Sequence, residues 1–297
     1  MQVVDGKHVR DRWKAFPMNN EMIFERLQSD YDYCIAHGYE VVGVFLFGSQ
    51  NYKVDTPTSD IDVKALVIPS LDDIIFGKIQ ISEKVKRDNG ELVIYDIVNM
   101  HQSIIKQAIN FVEILFTEYK IMNPEYEHLY APMFENNERI AALNKFKVLR
   151  CSLSMAQNKN KQLLHTVPSN EQRMEFLGWD YKALAEILRL YDFFATRYYD
   201  RKSYKDSLVS KNSEKLVLMK QGITNFTEDT ALEMATKVIA RMSHLTDKYT
   251  DEHGEVIDEE AVEIINEVTK NVVLKYIKTE VDKYDGAGST YWPAWCR

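Results

Sequence analysis

Residues 47–62 read FGSQNYKVDTPTSDID, and this stretch constrains the chain more than any other. An apolar run, Val41–Phe47, stops abruptly at Gly48-Ser49. A polar loop follows. Asp60 then stands just before, and Asp62 just inside, a second apolar run, Ile61–Ile68. Apolar runs of this length, bounded by turn residues, are buried strands. Residues two apart on a strand point to one face, so both carboxylates face the same side. A third acid, Asp96, sits in the apolar run Glu91–Val98, where an unpartnered carboxylate is costly to bury. Three acids converging on one point repel one another unless a cation lies among them. Gly48 lets backbone approach a phosphate closely, and Ser49 adds a hydroxyl beside the N–H groups of the turn. The pattern predicts a divalent metal holding a triphosphate.

The rest of the chain supplies the frame. Met22, Ile23, Leu27, Tyr31 and Cys34 recur at helical spacing after the capping residues Asn19 and Asn20, with Gly38 as the stop. Strands are predicted over 41–47, 61–68, 79–85 and 92–98, the last two around the turn Asp88-Asn89-Gly90. Helical spacing returns over 102–119. Beyond Glu138 strand signals vanish, and 173–199, 228–249 and 258–284 read as long helices. The expected fold class is α/β (α+β): a small mixed-sheet domain over 1–125, followed by an all-helical domain over 126–297. The tail 286–297 is expected to pack against the body.

Composition narrows the chemistry. The chain has 297 residues, a net charge of −8, three cysteines and no CxxC. Cys34, Cys151 and Cys296 therefore suggest neither a disulfide framework nor a zinc site. No HExxH or HxxxH pairing occurs among the seven histidines, so any metal is expected to take oxygen ligands, as Mg2+ or Mn2+ does. His101 and His165 read as structural or surface residues. No apolar run is long enough to span a membrane, and the start lacks the apolar core of a signal peptide, so a cytoplasmic protein is expected. Charge is unevenly spread: between Asn137 and Lys220 there are 16 Lys/Arg against 9 Asp/Glu. A basic middle in an acidic chain suits either a phosphate-bearing substrate or a solvated helical face.

The combination FGS…SDID…YDI resembles the nucleotidyltransferase superfamily typified by DNA polymerase β. GSQNYKVDTPTSDIDVKALVIPS, with GWDYKALAEILRLY and LVLMKQG downstream, is similar to its predicted RNA-repair-associated bacterial and phage branch. The resemblance spans residues 41–222. It implies that Asp60, Asp62 and Asp96 bind the metal ions and serve catalysis, and that Gly48 and Ser49 hold the triphosphate. Branch members often carry GSxxYG, whereas Lys53 follows Tyr52 here. Lys182 and Arg189, seven apart on one helix, and Lys220 are the candidate cations for the nucleotide, although Glu186 stands between the first two and suits both as a partner. Lys64 either reaches phosphate or points outward. The aromatic set at 181–199 reads as core rather than as a base-stacking surface. The expected activity is metal-dependent transfer of a nucleoside monophosphate from a nucleoside triphosphate such as ATP to a hydroxyl acceptor. An RNA end is the first expectation; a protein side chain, or an idle nucleotide-binding protein, are the alternatives.

Overall fold

A computed structural model describes residues 20–77 and 81–286, with side chains to 283. The expectations for the signal-peptide region, Asn19, Cys296 and the tail 287–297 lie outside the described residues. Helix α1 (Asn20–Ala36) leads into β1 (Glu40–Phe47) and, after the GSQNYKV loop, β2 (Asp62–Ile68). A short helix α2 (Leu71–Ile75) precedes the hairpin β3 (Ser82–Lys86) and β4 (Glu91–Asp96). Then come α3 (Ile97–Ile105), α4 (Ile109–Val112) with a 3-10 turn Glu113–Leu115, and β5 (Lys120–Met122). From Pro124 every described element is helical: α5 (Pro124–Glu135), α6 (Asn137–Ala141), α7 (Lys145–Leu163), α8 (Glu171–Leu177), α9 (Tyr181–Tyr198), α10 (Tyr204–Leu208), α11 (Ser213–Lys220), α12 (Glu228–His253) and α13 (Glu259–Gly286).

The five strands form one mixed sheet in the order β3-β4-β2-β1-β5; β2 and β4 run parallel, and the other neighbours are antiparallel. Alternation sorts the side chains. Val63, Ala65, Val67, Leu92 and Ile94 pack under α1 with Ile23 and Leu27. The opposite face, including Phe45 and Leu66, opens into a second core that continues without a break through α7, α9, α12 and α13. The helices therefore sit on the sheet as one packed body, with α7 against α9 as the most extensive helix pair.

Three expectations are corrected by local chemistry. The helix drawn over 102–119 starts earlier, at Ile97, and breaks where Gln107 takes φ 58°; β5 follows and had no expectation. The single helix over 173–199 is two, because Gly178 (φ 80°) ends α8 and Asp180 caps α9. The strand drawn to Val98 ends at Asp96, which is the N-cap of α3. No helix of the described residues is long and apolar enough to cross a membrane. Cys34 and Cys151 are free.

Candidate active site

Antiparallel pairing of β1 with β2 sets Phe47 directly opposite Asp62, so the chain leaves β1 through Gly48 and Ser49 beside the DxD acids. Gly48 has φ 97°, and a β-carbon there would lie 3.9 Å from Oδ2 of Asp62. The loop is tied back to the acids by Gln50, whose side-chain amide donates to the Asp60 carbonyl at 2.7 Å. Ser49 is half-buried at the same corner, its hydroxyl near the Gln50 amide oxygen at 3.3 Å.

Parallel pairing of β2 with β4 decides which acid joins them. Val63 lies opposite Leu92, so the residue level with Asp62 is Glu91. The Glu91 N–H donates to Oδ1 of Asp62 at 3.1 Å. Asp60, Asp62 and Glu91 line one cleft of about 630 Å³, together with Lys84, Lys86 and Arg87. Burial raises the Asp62 carboxyl above the usual range, and the Glu91 and Asp60 charges push it further, against the Glu91 N–H and Lys64. Gly90 makes the approach possible: it has φ 95°, and a β-carbon would lie 2.5 Å from the Ile61 carbonyl oxygen and 2.9 Å from Oδ1 of Asp62. The hairpin is anchored from behind, where buried Asp30 on α1 takes Arg26 at 2.7 Å and Arg87 at 2.8 Å, and Arg26 also donates to the Asn89 carbonyl.

Asp96 is not part of this cluster. It lies four residues beyond Leu92 on β4, about 16 Å along the strand from the level of Asp62 at the usual rise per residue. Its position shares the parity of Leu92 and Ile94, which pack under α1, not that of Glu91. The carboxylate is fully buried and accepts three hydrogen bonds, from the Asn99 N–H, the Asn99 side chain and the Ile81 N–H, at 2.8–2.9 Å. An acid in a buried strand was correctly flagged as needing a partner; the partner is a helix start.

The candidate cations divide. Lys182 is exposed at the start of α9, and its charge bears on Lys220. Lys220 donates to the Val54 carbonyl at 2.7 Å and so holds α11 to the GSQNYKV loop; burial and Lys182 lower it to about 8. Arg189, by contrast, is 2% exposed, chelates Glu186 at 2.5 and 2.9 Å, and stacks on the Tyr52 ring at 3.8 Å. It supports the loop from below rather than facing a ligand.

Sequence reasoning passed over Glu91 and Glu113. Glu113 is fully buried and accepts from the Gly48 N–H at 3.3 Å and Asn51 at 3.5 Å. Burial raises its carboxyl to about 7, with the Lys64 charge and the Tyr52 hydroxyl working the other way. Its signal was available: one acid within the apolar run Phe111–Phe116. Lys64 is also interior, 1% exposed, its nitrogen 3.0 Å above the Phe47 ring centre. His101 is structural as expected, buried between Thr269 and Tyr130. Of the aromatic set, Phe193 and Phe194 are core, while Tyr199 is 45% exposed.

Among the described residues, no group of three or more His, Cys, Asp or Glu is arranged to hold a metal ion. The donors near Asp62 nevertheless suit one. They are all carboxylate oxygens, they repel one another, and the exposed Asp60 carboxylate makes no hydrogen bond among the described residues. Glu91 is neutralised by Lys84 at 2.5 Å, an ion pair 65% exposed on the lysine side and cheap to exchange.

No family model and no curated protein matches the chain. Among solved structures, the nucleotidyltransferase-like protein from Exiguobacterium sibiricum 255-15 aligns at 9% identity and a TM-score of 0.28, over 77% of this chain and 76% of that one. Similarity at that level leaves the function to be read from the site itself.

Proposed function

We propose that the protein is a metal-dependent nucleotidyltransferase. The observation that carries this reading is the meeting of Gly48, Asp62 and Glu91 at one end of the sheet, with Asp60 in the same cleft. Asp60, Asp62 and Glu91 are the residues that would hold the ion, with Glu91 in the role expected of Asp96. A bound divalent ion would lower the pKa of the attacking hydroxyl and neutralise charge on the departing pyrophosphate.

The chain's own groups do the rest. The Gly48 turn and the Ser49 hydroxyl hold the terminal phosphates, and Lys182 and Lys220 offer point charges across the loop. Asp60 and Asp62 repel a phosphate on their own and would face it only with the ion they hold; a hydroxyl oxygen then attacks in line. The new O–P bond forms as the bond to pyrophosphate breaks, and the hydroxyl proton passes to a carboxylate or water. An RNA end is the proposed acceptor.

The idle alternative draws on the Lys84–Glu91 pair, which neutralises Glu91 without a cation. Labelled triphosphates with magnesium, alone and with RNA or protein acceptors, separate the two readings. Pyrophosphate release that disappears in Asp62→Asn supports the transferase, and the labelled product names the acceptor. Triphosphate that binds and is never consumed defeats it.

A further inference from the structure

A groove of about 360 Å³ lies at the C-terminal end of α9, away from the carboxylate cleft. The Tyr199 ring is 45% exposed there, with the Arg201 guanidinium 4.7 Å above it. Lys202 and Lys211 complete a basic rim. Of the acids nearby, one is paired with a cation and one is held by neutral donors. Asp200 pairs with Lys145, and Asp192 accepts from Ser210 and Asn212. Among the described residues, Arg201, Lys202 and Lys211 have no carboxylate within ion-pair distance. The lining thus sets three cations against one carboxylate, Asp192, beside an exposed aromatic ring.

Val209 forms part of the groove's wall and part of the wall of a neighbouring recess, whose other side is Gln50, Asn51 and Lys53. The two hollows thus adjoin at Val209, the recess carrying Glu113 and Glu118 as well.

We infer that this groove binds single-stranded nucleic acid, the rim cations taking backbone phosphates and Tyr199 stacking on a base. Two features select that ligand. Phosphates call for cations whose charge is not already spent, and a planar base calls for an exposed ring, already backed by a guanidinium. A simple polyanion uses the first feature and ignores the second. On the transferase reading, the strand is the acceptor; the binding itself does not depend on that reading.

The test is fluorescence anisotropy of a labelled oligouridylate, and of an oligothymidylate, each about a dozen nucleotides long, a length within the range of single-strand sites. Neither triphosphate nor metal is added, so failure of transfer chemistry leaves the result intact. Tyr199→Ala is expected to weaken binding on the order of tenfold, the scale of one lost base stack. Arg201→Ala with Lys202→Ala is expected to flatten the salt dependence by about 1.4 in slope, at about 0.7 for each single-strand phosphate contact. All three side chains are exposed, and unchanged circular dichroism confirms that the variants fold. Tighter binding of either strand supports the groove and names the sugar. Wild-type affinity no greater than for heparin, or Tyr199→Ala binding as well as wild type, overturns it.

Discussion

The two ends of the central strands β2 and β4 are built on opposite plans. At the end carrying Asp96, the carboxylate is sealed from water and every hydrogen bond is made: strand exit, helix cap and hairpin entry share one acid. At the end carrying Asp62 and Glu91, like charges crowd together, Gly48, Lys53 and Gly90 take positive φ, and burial works against ionisation. One end stabilises; the other gathers like charge and holds one left-handed non-glycine residue, Lys53. Crowded charge that local structure does not need is the ground on which the proposed function places its site at this end.

Exchanging the acids is the largest test of that contrast. Asp62→Asn and Glu91→Gln are expected to cut pyrophosphate release at least about a hundredfold, the scale of one electrostatic group removed from a transition state. Asp62→Asn is expected to leave the melting temperature unchanged or raised, since the native carboxyl is held above its ordinary range and its charge opposes folding. Asp96→Ala is expected to do the reverse. Losing a cap costs about 1–2 kcal/mol, and the orphaned Ile81 N–H adds about 1 kcal/mol or more, while the folded fraction keeps its turnover. Denaturant unfolding and a steady-state assay on the same samples read both. A stable but inactive Asp96→Ala would return Asp96 to the site.

Gly90 tests the contrast through the backbone. A β-carbon there meets the Ile61 carbonyl, which cannot rotate away as a side chain would. Gly90→Ala is expected to cost about 1–3 kcal/mol for the left-handed backbone alone, with the clash in addition, and to lower turnover by displacing the Glu91 N–H from Asp62. Gly77, also at positive φ but with nothing within 4 Å, is the control for strain without a close approach. Equal losses in both variants would show that Gly90 serves only its turn.

Much of this was legible in the sequence. Gly48, Ser49, Asp60 and Asp62 were flagged because the strand–loop–strand pattern is local and parity on a strand needs no tertiary knowledge. Asp96 was misassigned because parity fixes a face only once register is known. Register across a parallel pair is set by a crossover connection whose length says nothing about alignment. Glu91, at the very start of its run, looked like a boundary residue. Arg189 reads in the sequence as a nucleotide cation with Glu186 as its alternative partner; nothing in the spacing tells that Arg189 is buried against Glu186 and Tyr52. β5, three residues long, is too short for periodicity to register.

Glu113 gives a smaller, pH-dependent effect. Its carboxyl sits at about 7 in the folded chain, above its ordinary value. The stability it contributes is therefore complete below the unfolded pKa and lost as pH rises through about 7. The melting temperature is expected to fall between about pH 5 and about pH 8, and Glu113→Gln is expected to flatten that fall. An unchanged profile in the variant would assign the titration elsewhere.

Lys53 is the mildest probe. It holds φ 55°, and buried neighbours Tyr52 and Val54 fix it on either side. A left-handed non-glycine residue costs about 1–3 kcal/mol, against about 0.5–1 kcal/mol of extra chain entropy that glycine loses on folding. Lys53→Gly is therefore expected to raise stability by about 1 kcal/mol, read as a shift in the denaturant midpoint with no change in slope. If the strain serves the site, the same change will loosen the loop above Asp60 and raise KM for the triphosphate while kcat holds. A gain in stability with KM untouched would mean that the Lys53 backbone plays no part in holding the triphosphate.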